Sequence, residues 1–375
     1  VPFDVAVIGS GVIGRSCAWQ IAETGRTVCI IDPYPGSGAS YAAAGMLAPV
    51  TEASYGEESL TALGVQSAAM WPEFVEHLAR RSALDPGYVA SGTLLVAADA
   101  SDRAALEDLY RFHATSGVTS ELVAPSAARA LEPLLAPSIR GGIFASSDAQ
   151  VDNRRLLSAL DDACVGLGVV ERRTRAVAVA VEAGRTAGVE TDSGRVAASA
   201  VVLAAGYQSV AFTDPASQFV PPTRPVKGQI LRLRGPERGP TLTRTVRAIV
   251  GGSSVYVVPR RGNRIVLGAT QEEVGVDERV TVGGVHALLR DALRVLPSLG
   301  EYEITEARAG LRPGSPDNAP IVGPTGLPGV WVATGHHRNG ILLAPYTAKM
   351  ICALLSGSEF PEEAVAVHPG RFTAA

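Results

Sequence analysis

Residues 3–14 read FDVAVIGSGVIG: an apolar run, then Gly9-Ser10-Gly11-Val12-Ile13-Gly14, and helical character follows until Gly25. A continuous apolar run of this length suits a strand buried on both faces of a parallel sheet. Each glycine of the GxGxxG pattern then has a physical role. Gly9 permits the tight turn, Gly11 lets backbone approach a pyrophosphate, and Gly14 lets the helix pack close to the strand. The amides and dipole at the helix N-terminus, around Val12 and Ile13, favour phosphate. A second apolar run, TVCIID at 27–32, ends on Asp32, the place for a carboxylate that binds ribose hydroxyls. That carboxylate would repel a 2′-phosphate, which argues against NADP. The stretch predicts a βαβ unit that binds a dinucleotide.

Outward from this unit, residues 36–46 (GSGASYAAAGM) are small, as suits backbone passing close to a ligand. Residues 88–98 read as a strand pair with a Gly turn. Residues 175–198 read as a β-meander with AGR and DSG turns, and 198–206 as a further buried strand. Residues 226–234, 246–250, 254–259 and 264–269 read as four strands of an antiparallel sheet, and VWVAT (330–334) as a buried strand. Helices are predicted over 59–81 (broken or kinked at Pro72), 102–116, 153–166, 281–296 and 340–356. Parallel-sheet segments at the start, middle and end, with antiparallel material between, predict an α/β (α+β) chain of two interleaved domains.

The composition narrows the function. With 375 residues, 46% hydrophobic and 19% charged, the chain is long enough for two or three domains and too apolar to be disordered. A net charge of -4 gives no case for nucleic acid. No run of about 18 uncharged apolar residues occurs, and no basic segment precedes the first apolar run, so a cytoplasmic protein off the membrane is expected. Cys17, Cys29, Cys164 and Cys352 lack metal-like spacing and read as buried thiols in a reducing compartment. His336 and His337 are adjacent and face different ways. No HxxxH, HExxH, GxSxG or Walker A pattern occurs, so no metal is expected. Of 33 basic residues only Lys227 and Lys349 are lysine. A Schiff-base enzyme would have just two candidates, which turns the chemistry towards a borrowed cofactor.

NAD and FAD are separated by reach. The small-residue loop, Ala204-Ala205-Gly206 in mid-chain and TGHHRNG near the end are three separate glycine-rich sites, which fits the longer FAD. A helix starting near Asn339-Gly340-Ile341 would aim its dipole at the negative charge that develops at the N1–C2=O locus of reduced flavin.

The chain resembles the D-amino-acid oxidase superfamily of flavoenzymes, most of all its glycine oxidase-like members. The resemblance rests on VIGSGVIG (7–14), ASYAAAGMLAP (39–49), PVKGQ (225–229), VYVVPRRGNRIVLGAT (255–270), AGLRPGSPDNAP (309–320) and TGHHRNGILLAP (334–345). It implies a Rossmann-like FAD-binding domain (1–83, 148–213, 308–375) interleaved with an antiparallel-sheet substrate domain (84–147, 214–307). It implies Arg312 as the carboxylate clamp, Tyr256 as a second carboxylate contact, Arg338 beside the flavin on the substrate side and Gln271 in the pocket wall. The implied cofactor contacts are Gly9, Gly11, Val12, Ile13, Gly14, Asp32, Ser40, Ala44, Gly45, Met46, Val177, Gly206, Gly335, His336, Arg338, Asn339, Gly340, Ile341 and Leu342. Three departures stand out: Gln271 where some members carry Met, His337 where Tyr is frequent, and Gly206-Tyr207-Gln208-Ser209, which lacks the Trp often found in the family's AGxWS.

The reaction so implied is oxidation of glycine to iminoglycine by hydride transfer from Cα to flavin N5, with no obligatory acid–base side chain. Dioxygen would reoxidise the flavin to give peroxide. The imine would hydrolyse to glyoxylate and ammonia, or pass to an enzyme of thiazole synthesis in the thiamine pathway. A homo-oligomer is expected. Sarcosine oxidase-like or D-amino-acid oxidase or dehydrogenase activity stays open, as more remotely does an NAD-dependent dehydrogenase or a non-catalytic flavoprotein. No Cys lies between Cys164 and Cys352, so non-covalent FAD is expected.

Overall fold

The computed structural model describes residues 1–212 and 221–372. The opening stretch forms the centre of a largely parallel sheet. Strand Phe3–Ile8 lies between Val28–Ile31 and Gly194–Leu203, with Val5 opposite both Val28 and Ala200. Val170–Arg172 extends the sheet on one side. On the other side lie Val330–Thr334 and an antiparallel edge strand, Ile321–Pro324.

The apolar runs are continuous because both faces are covered. Val5, Val7, Val28 and Ile30 pack with helices Val12–Glu23, Glu58–Ala79, Asn153–Gly166 and Ala344–Leu355. The alternate residues Ala6, Ile8, Cys29 and Ile31 pack on the opposite face, against Val189 and Ala198 of the meander. The meander and the mid-chain strand are one element. Gly194–Leu203 pairs first with Arg185–Thr191 and then with Phe3–Ile8, because no turn residue separates Ala198 from Val201.

The second sheet has the order Glu303–Gly314, Arg224–Arg234, Arg264–Gly268, Ser253–Arg260, Thr245–Val250, Thr93–Ala97, Gly142–Ala145, Glu121–Val123. All neighbours are antiparallel except Thr245–Val250 and Thr93–Ala97. One face packs Leu231, Val255, Val257 and Leu267 on helix Val282–Val295. The other turns Ile230, Val258 and Val266 towards Ala44 and Met46.

Several expectations shift. Residues 88–98 do not pair with one another: Val89 bridges Gln150, and Thr93–Ala97 pairs with Thr245–Val250 and Gly142–Ala145. The glycine between, Gly92, has φ +75°, and a Cβ there would stand 2.6 Å from the Phe144 ring. Helix Glu58–Ala79 continues through Pro72. The last helix begins at Ala344, with a proline in its first turn, and a short 3₁₀ turn His337–Asn339 precedes it. Strand Glu303–Gly314 is unbroken across the expected division at 307/308, and the expected division at 213/214 lies outside the described residues. Among the described residues no helix is long and apolar enough to cross a membrane.

Candidate functional site

A cavity of about 1060 Å³ runs between the two sheets. Its wall draws on three parts of the chain, from Ile8 to Met46, from Ala204 to Phe212 and from Ala333 to Ile341, and strands of the second sheet close the far side. Its size is at or above the upper end for a small-molecule site, roughly 300–1,000 Å³.

One end is built by the glycine motif. Gly9 takes φ +103°, and a Cβ there would overlap Ala204 O. A Cβ on Gly14 would overlap Gly9 O, so Gly14 sets the helix-to-strand distance and stays off the cavity wall. The Asp32 carboxylate accepts from Ser10 N and Ser10 Oγ, each at 2.8 Å, and from Tyr34 N at 2.8 Å. These bonds fix the carboxylate in the cavity wall. At the helix N-terminus the Val12 amide donates to Ser40 Oγ at 3.0 Å, which brings that hydroxyl to the phosphate-binding turn.

The small-residue loop is held by its carbonyls. Asn153 Nδ2 donates to Ser40 O at 2.8 Å and to Tyr41 O at 2.9 Å. Arg260 Nη2 donates to Ala44 O and, at 3.2 Å, to Val151 O. Burial pushes the Arg260 guanidinium down to about 10 while Asp152 supports its charge, so it stays cationic at neutral pH. Gly45, at φ +71°, could not carry a side chain against Val151 O. Asn153 and Arg260 were not singled out from the sequence; among so many arginines nothing local marks Arg260.

The other end is built on the second sheet. Arg312 sits opposite Val226, and a Cβ on Gly228 would overlap its guanidinium. Arg312 Nη1 donates to Thr270 O at 3.1 Å. Tyr256 sits opposite Gly268, where a Cβ would overlap the phenol. Burial pushes that phenol up, and the neighbouring Arg312 pulls it the other way. Two glycines on adjoining strands thus make the slots for the two polar side chains. Arg338 reaches the wall, but its Nη2 pairs with Glu57 and donates to Glu52 O at 3.4 Å. Glu52 itself lines the cavity, and the sequence reading missed it. His336 is buried against Thr347 Oγ1 at 2.9 Å, and burial lowers it to about 3. Burial, with Arg312, Arg338 and Arg224 nearby, lowers His337 to about 4.

Gly9, Gly11, Val12, Ile13, Asp32, Ser40, Ala44, Gly45, Met46, Gly206, Tyr256, Arg312, His336, Arg338, Gly340 and Ile341 all line the cavity. Five expected contacts besides Gly14 do not. Gln271 is exposed, and its neighbour Thr270 supplies the carbonyl to Arg312. Val177 is 59% exposed, and Arg175 and Ala176 line the wall in its place. Gly335 serves the turn, with φ +71°. Asn339 accepts from Leu343 N, and the Leu342 carbonyl accepts from Ser67 Oγ at 2.6 Å and Trp71 Nε1 at 3.0 Å, so both lie behind the wall.

Lys227, a Schiff-base candidate on composition, is 1% exposed and off the cavity wall. Its Nζ lies 3.5 Å from Glu272 and 3.4 Å from Asp277. Gln229 Nε2 donates to Glu272 Oε1 at 2.7 Å and to Thr281 Oγ1 at 3.0 Å, and Thr270 Oγ1 donates to Glu272 Oε1 at 2.6 Å. This network clamps loop 269–281, which lends Thr270 O to Arg312 and Val276 and Glu278 to the cavity wall. Among the described residues no group of three or more His, Cys, Asp or Glu could hold a metal ion.

A cavity reached from three parts of one chain, with a phosphate turn at one end and an arginine–tyrosine pair at the other, fits FAD with a small acid beside it. The family model described as DAO, FAD dependent oxidoreductase, matches residues 4–354. The chain belongs to the DAO family. It is 35% identical over 363 residues to the bifunctional protein ThiO/ThiG of Nostoc sp., covering 94% of this chain and 52% of that protein. The chain therefore spans about half the length of the bifunctional relatives it matches. It is 33% identical over 361 residues to a glycine oxidase of Geobacillus kaustophilus, covering 95% of this chain and 94% of the relative. The crystal structure of glycine oxidase from that organism superimposes with a TM-score of 0.89 at 32% identity, with both chains covered in full. The family's description and the shared fold bear out the sequence-based expectations of fold class and of FAD as the cofactor.

Proposed function

We propose that the chain is a glycine oxidase, converting glycine to iminoglycine and, after hydrolysis, to glyoxylate and ammonia. The observation that carries this reading is the Arg312 guanidinium lying over Gly228 beside the half-buried Tyr256 phenol, at the cavity end away from the phosphate turn. A guanidinium fork is the natural partner of a carboxylate, and a phenol adds a directed donor. Relatives named glycine oxidase at 31–33% identity, matched over nearly their whole length, support glycine as the substrate.

Bound FAD would supply the two-electron acceptor for oxidation of the Cα–N bond. The chain's own residues do the rest. Gly9, Gly11 and Asp32 would hold the nucleotide, and the loop fixed by Asn153 and Arg260 would lie over the ring system. Arg312 and Tyr256 would hold the carboxylate and so fix where Cα sits, an orientation effect of the kind that supplies much of a catalytic barrier reduction. His336 and His337 stay neutral at physiological pH, so neither adds a positive charge against an ammonium group.

Peroxide production on glycine, sarcosine, D-alanine and D-proline tests the reading. Glycine should give the highest kcat/KM, and preference for another amine would overturn it. An oxygen electrode separates oxidase from dehydrogenase. The Nostoc relative's name joins ThiO to ThiG, which supports release of the imine to a thiazole-synthesis enzyme. We place the protein in the cytoplasm as a homo-oligomer, a reading consistent with its free cysteines.

A further inference from the structure

Of the described residues that line the cavity, His337 alone has buried side-chain polar atoms with no hydrogen-bond partner, and both ring nitrogens are in that state. The residue is 5% exposed. An unsatisfied buried donor or acceptor loses its hydration with nothing in return, so such atoms mark places where a ligand completes the set. The backbone points the same way. His337 is a non-glycine residue at φ +46°, a left-handed conformation that tends to survive at ligand sites where the surroundings enforce it.

The neighbours decide what kind of ligand. His337 stands among Arg312, Arg338 and Arg224, with Glu57 the one acid close enough to count. Glu57 is taken by Arg338, and Arg224 is taken by Glu273 and by Ser315 O. Arg312 uses Nη1 on Thr270 O and keeps the remaining donors of its fork over Gly228. A neutral imidazole in that company offers an N–H to an anion. An ammonium group would have to settle among three guanidiniums.

We propose that His337 is a third contact for the substrate carboxylate, its ring N–H donating to the anion that Arg312 and Tyr256 hold. The inference rests on the reading of Arg312 as the carboxylate clamp. It makes carboxylate recognition depend on a residue of the C-terminal glycine-rich turn as well as on the second sheet, and so couples substrate binding to the cavity wall formed by Ala333 to Ile341.

Acetate, a carboxylate with no oxidisable amine, is the probe. It is titrated calorimetrically into FAD-loaded wild type, His337→Phe, His337→Ala, His337→Gln and Arg312→Ala, with bound flavin measured in each. Loss of a hydrogen bond to a charged group should weaken acetate about tenfold or more in the Phe and Ala variants. The Gln variant, which keeps an N–H donor, should stay near wild type. The KM for glycine should rise in parallel while kcat is held. Unchanged acetate affinity in the Phe and Ala variants, with Arg312→Ala strongly impaired, would overturn the role of His337 and leave the clamp standing. Unchanged affinity in Arg312→Ala would remove the clamp itself. If the Phe variant does not fold, the Ala variant decides alone, since it removes the ring without adding bulk.

Discussion

Arg312 can lie across the neighbouring strand because residue 228 has no side chain. That dependence is testable at one atom. In Gly228→Ala the new methyl meets the far end of a flexible arginine, so the fold should absorb it at a cost within about 1 kcal/mol. The guanidinium, however, must move. The expected outcome is a KM for glycine raised about tenfold with little change in melting temperature, measured by steady-state kinetics and calorimetry. Arg312→Ala should raise KM further, by about a hundredfold or more, as expected for loss of a charge-assisted bidentate bond, and still bind FAD. Glycine kinetics like wild type in both variants would sink the clamp. Neither glycine slot was legible beforehand: Gly228 and Gly268 read as strand residues, and only the cross-strand register reveals what a side chain there would strike.

Loop 269–281 is the element on which the substrate end depends. It is irregular and mostly exposed, yet Lys227, Gln229 and Glu272 tie it to strand Arg224–Arg234. Lys227→Met would leave Glu272 and Asp277 without their shared cation, and truncating one partner of a buried charge set is destabilising. The variant should unfold at a lower temperature and show KM raised more than kcat, because Thr270 O no longer fixes Arg312. A variant with unaltered KM would show that the loop holds its place without the lysine. The C-terminal helix shows how far an element can be read from sequence. Its existence was plain from apolar spacing. Its start was misplaced by four residues, because Gly340 to Leu343 are held in irregular turns by tertiary contacts such as Ser67 and Trp71 on the Leu342 carbonyl.

For the molecule as a whole, burial of ionisable groups sets the response to acid. His336 and His337 are lowered to about 3 and 4, below the unfolded value near 6.5. Between those limits the unfolded chain binds more protons than the native one, so stability falls as pH falls. The slope is about 1.4 kcal/mol per pH unit for each group. Asp148 works in the opposite sense. Burial raises it to about 6, so the native state keeps a proton that the unfolded chain releases, and stability falls as pH rises from about 4 to 6. It therefore offsets roughly one histidine. Asp148→Asn should steepen the loss of melting temperature between pH 6 and 4, as calorimetry across that range would reveal; an unchanged slope would contradict the assignment. The flavin should be released entirely by acid precipitation, since Cys17, Cys29 and Cys164 are buried, Cys352 is half-buried, and none of the four lines the cavity. Yellow colour retained in the pellet would mean a covalent link.

The order of residues 3–32 was enough to specify the strand, the glycine turn, the helix and an acid at the end of the second strand, because each is a local demand on backbone conformation or burial. The resemblance carried by six motifs extended that to the cofactor and to Arg312 and Tyr256. Composition made arginine look like background, and locally it is. Which arginines matter was decided by tertiary structure: Arg312 by a glycine two residues away from it in cross-strand register, Arg260 by the Ala44 carbonyl 216 residues earlier and the Val151 carbonyl, and Arg338 by Glu57. The physical reason is that a charge acquires its role from the partners and the space around it, and here both come from strands far apart in the chain.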